Sequence, residues 1–186
     1  IDITRHLLEY MPDVLDKDTR EVSAVSPGVL GTTGIETLEI LKGIVDNIHP
    51  KLVIVIDALA SRSIERISSS IQLADTGIVP GAGVANARKE LTVATLGVPV
   101  IAMGIPTVVD AATIAADSLT LLIQKAQENA QSNDYLNKLQ EEDKYAMIKE
   151  VLTPEEYNFI VTPKEIDSLI EKMKDVVARG INFAVN

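Results

Sequence analysis

The run Leu52-Val-Ile-Val-Ile56 limits what this chain can fold into more than any other feature. Five apolar residues follow one another, four of them β-branched, between Pro50 and Asp57. An amphipathic helix or a one-sided sheet would break such a run with polar residues at a fixed period. A continuous run predicts a strand covered on both faces, as in a parallel sheet. Val98-Pro-Val-Ile-Ala-Met103 predicts a second such strand, ended by Gly104 and Pro106. Shorter strands are predicted over Val22–Val25, before Ser26-Pro27-Gly28, and over Ser70–Ala74.

Helical spacing fills the intervals. Thr33–Ile48 aligns Leu38, Leu41, Val45 and Ile48, and Val109–Ile123 aligns Ala112, Ala116, Leu119 and Ile123. Thr162-Pro163-Lys164-Glu165 has the residues of a helix start. The helix after it carries Ile166, Leu169, Ile170, Met173, Val176, Val177 and Ile181 on the face that docks on the sheet. Ile1–Met11 has helical spacing, no N-cap before it and Pro12 after it, so it reads as a helix already in progress. Asp13–Arg20 reads as a polar loop and residues 124–158 as an exposed helical insertion. The alternation predicts one α/β domain over residues 1–186, an open, mainly parallel sheet with helices on both faces.

Composition removes several classes of chemistry. Without Cys the chain has no thiol nucleophile, zinc–thiolate site or iron–sulfur cluster. The net charge of −10 argues against nucleic-acid binding, which calls for a basic face. No stretch approaches the roughly 18 apolar residues of a membrane span. The two histidines, His6 and His49, are not at metal-ligand spacing, and His49 sits at the opposite end of the strand from Asp57. A Ser-His-Asp arrangement using Ser61 or Ser63 is therefore poorly supported.

Carboxylates remain. Asp57 directly follows the apolar run, and the carboxyl ends of parallel strands form ligand crevices. Partial burial there raises a carboxyl pKa toward the range useful for acid–base work. The same position suits an N-cap Asp for a following helix. Asp75, Glu36 and Asp110 lie near predicted element ends and are either caps or partners for Asp57. Gly31-Thr32-Thr33-Gly34 precedes a helix, and the stretch from Gly77 to Asn86, with Gly81 and Gly83, suits a loop that shapes a cleft. The substrate-cleft candidates are Thr32, Thr33, Gly34, Asp75, Gly81 and Gly83.

Longer motifs carry a resemblance. They are Ser26-Pro-Gly-Val-Leu-Gly-Thr-Thr-Gly-Ile-Glu-Thr37, Val55-Ile-Asp-Ala-Leu-Ala-Ser-Arg-Ser-Ile-Glu-Arg66 and Asp75-Thr-Gly-Ile-Val-Pro-Gly-Ala-Gly-Val-Ala-Asn86. Arg88-Lys-Glu-Leu91, Leu96–Asp110 and Val161-Thr-Pro-Lys-Glu-Ile-Asp167 belong with them. Together they resemble the germination proteases of endospore-forming bacteria. The resemblance implies an endopeptidase that degrades small acid-soluble spore proteins, made as a zymogen in the forespore cytoplasm and assembled as a homotetramer. It implies a three-layer α/β/α fold similar to hydrogenase maturation proteases, and an aspartic-type mechanism with two essential aspartates and no cofactor or metal. A carboxylate–metal mechanism like that of the maturation proteases and a non-catalytic assembly role are the alternatives. One aspartate falls at Asp57. The other belongs to a Thr-Pro-Asp motif upstream of the matched region. Here Thr153-Pro154 is followed by Glu155 and Thr162-Pro163 by Lys164. The chain thus reads as the C-terminal portion of a longer enzyme, with the upstream segment of the same protein as its partner.

Overall fold

The computed structural model describes residues 7, 9–11, 13, 20–84, 88–128, 140–152 and 159–185. Most of the helix expected over Ile1–Met11, the loop expected over Asp13–Arg20, and Asn86 lie outside the described residues, as does part of the segment 124–158.

Among the described residues, four strands form one open sheet: β1 (Val53–Ser61), β2 (Gln72–Ala74), β3 (Val100–Asp110) and β4 (Ile160–Val161). The order is β1-β3-β2, with β4 also pairing to β3. The parallel pairing expected between the two apolar runs is present, from Val53↔Val100 to Ser61↔Val109. The mainly parallel sheet is not: β2 and β4 both run antiparallel to β3, so the sheet is only partly parallel. The connection explains β2. Only Arg62–Ile71 separates it from β1, with one tight turn at Ile64–Arg66. A parallel crossover takes a dozen or more residues.

β3 also corrects an expectation, because it runs through Gly104 and Pro106 and displaces the predicted helix start from Val109 to Ala111. Its pairing with β1 shifts after Leu59↔Pro106, leaving Thr107 out of register. Proline is tolerated at such an irregularity because its missing N–H costs no ladder bond. Its carbonyl is used instead, accepting from the Ser68 N–H at 2.8 Å. The strand expected at Val22–Val25 is absent: residues 20–29 carry no regular structure, and Val25 is exposed. A short alternation becomes a strand only where a neighbour supplies the ladder.

The helix expected over Thr33–Ile48 is split in two. α1 (Leu30–Thr33) ends at Gly34, whose φ of 68° is left-handed, and α2 (Thr37–Ile48) follows. Leu38 and Leu41 of α2 pack with Val53, Val55 and Val98 on a core of Leu91, Leu96 and Val100. The single turn α3 (Val93–Leu96) is fixed by a reciprocal Thr92–Thr95 capping box. α4 (Ala111–Glu128) starts where Asp110 Oδ1 accepts from the Ala112 N–H at 2.7 Å. It buries Ala112, Ala116 and Ile123, as their spacing predicts. α5 (Glu141–Leu152) docks on α4. Thr120 and Lys144 donate to Glu141, and Tyr145 Oη donates to Asp110 Oδ2 at 3.2 Å.

α6 (Ile166–Val185) begins a turn later than the motif suggests. The Thr162 hydroxyl donates to the Thr107 carbonyl instead of capping the helix, which ties β4 to β3. α6 faces the side of the sheet opposite α2, across a cavity lined by β1, β3 and α6.

Candidate functional site

Asp57 lies in the middle of β1, in register with Gly104 of β3. It is neither at the strand's carboxyl end nor a helix cap, which corrects the sequence reading. Ala58-Leu59-Ala60-Ser61 continues the strand because β3 runs beside it as far as Val109. A carboxylate is tolerated mid-strand because, among the described residues, β1 forms ladder pairs with β3 alone, so Asp57 stays only half-buried.

The pleat sorts the neighbouring side chains. Val53 and Val55 face the α2 layer, and Asp57 and Leu59 continue that face. Ile56 and Ala58 point to the opposite side and, with Ile105 and Thr107, form the floor of a cavity of about 460 Å³. Ile170, Met173, Lys174 and Val177 of α6 are in its wall, and Asp57 joins the lining at the level of the strand. The cavity is apolar except for Thr107, Lys174 and Asp57.

Two local effects act on the Asp57 carboxyl. Burial pushes its pKa above the ordinary value of 3.8, and a hydrogen bond from the Ala58 N–H to Oδ1, 2.9 Å long, partly opposes that. The protonated form is therefore favoured more in the folded state than in the unfolded chain. Stability should fall as pH rises through the window between the two pKa values. Asp57→Asn, which keeps an oxygen for the Ala58 amide, is expected to raise the melting temperature of the family-length protein at pH 7. That gain should vanish at pH 3, where both forms are neutral. A scanning-calorimetry pair at the two pH values checks it, and equal shifts at both would assign the effect to something other than charge burial.

The other sequence candidates are placed as follows. Thr32, Thr33 and Gly34 form an exposed turn with local bonds. Both threonine hydroxyls donate to the Val29 carbonyl, and the Gly34 N–H donates to Leu30. Asp75 is in an exposed bend after β2. Gly81 has a φ of 73° and opens the tight turn Ala82–Val84. Gly83 is the candidate brought to the Asp57 strand: a Cβ there would lie 2.9 Å from the Ala60 Cβ. The loop is also held to α2 by a Lys89–Glu39 ion pair of 3.0 Å. Asp110 does not join Asp57. It lies six residues along β3 from Gly104, about 20 Å at strand spacing, and is engaged with Ala112 and Tyr145. Glu36 takes the N-cap position of α2 without a side-chain cap bond.

The sequence reading missed Gly104, taken for a strand end, and the α6 wall, taken for plain packing. A glycine inside a β-branched run was the available signal, since it marks a close approach. Among the described residues, no group of three His, Cys, Asp or Glu side chains is placed to hold a metal ion. Among the same residues, no helix is long and apolar enough to cross a membrane.

A family model described as germination protease matches residues 1–139 and 124–186. A germination protease of Caldanaerobacter subterraneus subsp. tengcongensis is 53% identical over 189 residues, covering 100% of this chain and 58% of that protein. One from Clostridium perfringens is 50% identical over 187 residues, 98% of this chain and 58% of the relative. One from Geobacillus sp. is 42% identical over 219 residues, 99% and 59%. The chain thus spans less than two thirds of the length of these relatives. Similarity of this depth along the whole chain shows that the chain belongs to the germination protease family.

Proposed function

We propose that this chain supplies one carboxyl of a two-carboxylate endopeptidase that degrades small acid-soluble spore proteins when spores germinate. The observation that carries the reading is Asp57 in a germination-protease chain: half-buried in the middle of β1, at the margin of an apolar cavity on the strand's other face, with its pKa raised by burial. The second carboxyl belongs to the part of the family-length protein that this chain does not cover. Two carboxyls close together do not both ionise at low cost, so one keeps its proton. The protonated partner donates a hydrogen bond to the scissile carbonyl. The ionised partner takes a proton from water as the water oxygen attacks the carbonyl carbon. The tetrahedral intermediate then collapses, the C–N bond breaks, and the leaving amine takes a proton from the pair.

The same reading includes zymogen synthesis, a homotetramer in the forespore cytoplasm, and a three-layer fold similar to the hydrogenase maturation proteases. α2 and α6 on opposite faces of the sheet support the last point. The function is tested by incubating the mature family-length protein with purified acid-soluble spore proteins and following the products by mass spectrometry. Discrete internal cleavages are expected without added metal and in the presence of chelator. Intact substrate, or cleavage abolished by chelator and restored by a divalent ion, would overturn the carboxylate reading.

A further inference from the structure

Gly104 is the cross-strand neighbour of Asp57 and is buried. Residues in register on parallel strands present their side chains to the same face, so a Cβ on Gly104 would stand beside that of Asp57. That space is taken by Leu59. A Cβ at Gly104 would fall 2.1 Å from Leu59 Cδ1, 2.7 Å from its Cγ and 3.3 Å from its Cδ2. Leu59 is two residues beyond Asp57 on the same face, and it leans across onto β3 over the bare glycine. The isobutyl group thus occupies the place, on the strand beside Asp57, that a side chain at position 104 would take.

We propose that Gly104 and Leu59 are a positioning pair for Asp57: the missing side chain at 104 lets the leucine close one side of the carboxyl and hold it in its working orientation. This rests on the reading of Asp57 as catalytic. Burial is the leading influence on that carboxyl, as an apolar group at its side requires, and the Ala58 amide is the opposing one. Charges contribute little by comparison. Those on the surrounding elements are Glu36, Glu39, Lys42 and Asp46 at α2, Lys89 on the loop, and Glu171 and Lys174 on α6. Glu39–Lys89, Lys42–Asp46 and Glu171–Lys174 are ion pairs.

The test uses the mature family-length protein, with kcat and KM measured across pH. Leu59→Ala opens the side of the carboxyl without adding bulk. It is expected to lower kcat about tenfold or more, leave KM nearly unchanged, and move the pH optimum to lower pH by about half a unit or more. Gly104→Ala meets Leu59 and is expected to lose both stability and kcat. The double variant Gly104→Ala with Leu59→Ala removes the three closest contacts. It should regain stability over Gly104→Ala alone while keeping the acid-shifted optimum of Leu59→Ala. A purely structural role predicts stability losses with an unmoved pH profile, and that result overturns the proposal. Asp57→Asn serves as the control: if it keeps full activity, the reading of Asp57 fails, whatever the pair does.

Discussion

Assayed alone, the 186-residue chain is expected to hydrolyse acid-soluble spore proteins at least about 10³-fold more slowly than the family-length protein. A catalytic pair acts as a unit, so a chain holding one member keeps little of the rate. The nearest Thr-Pro motifs here end in Glu155 and Lys164, and Asp75, Glu36 and Asp110 are not joined to Asp57 by the fold. β1 gives a second reason. Among the described residues its ladder partner is β3 alone, and Ile56 and Leu52 are 48% and 43% exposed. An open, apolar edge is a template for association. The isolated chain should therefore self-associate on concentration, and the family-length protein should not do so through that edge. Size-exclusion chromatography with a matched activity assay reads both. Near family-length rates from a homogeneous sample of the isolated chain would refute the placement of the second carboxyl.

What could be read in the residues divides along physical lines. Continuous apolar runs favour strands, so β1, β3 and their parallel pairing were legible at Val53–Ile56 and Val100–Met103, but the expected cover on both faces of β1 is not found, since Ile56 is exposed. The spacing of Ala112, Ala116 and Ile123 likewise gave the buried face of α4. Pairing direction at the sheet's far side depends on connection geometry, which composition does not encode, so the antiparallel β2 was not legible. Strand ends failed for a related reason. Asp57, Gly104 and Pro106 are strand breakers in isolation, yet each is held by its neighbour: Asp57 by the ladder to β3, Gly104 by Leu59, and Pro106 by the register shift and Ser68. Asp57 stood out as a candidate because a carboxylate that directly follows an apolar run is costly to bury. Gly104 and Leu59 did not stand out, because their contact exists only when two strands lie side by side.

The central claim is that Asp57 is one of two carboxyls that carry out peptide hydrolysis. It is tested most directly by Asp57→Asn in the mature family-length protein. The amide has nearly the same shape and can keep the bond from the Ala58 N–H. It can neither release a proton to the leaving amine nor accept one from water. The site lies mid-strand and half-buried, so the substitution should leave the circular dichroism spectrum and the oligomeric state unchanged. kcat/KM on an acid-soluble spore protein is predicted to fall by about 10³-fold or more. A folded Asp57→Asn protein that retains kcat/KM within about tenfold of the parent would contradict the account.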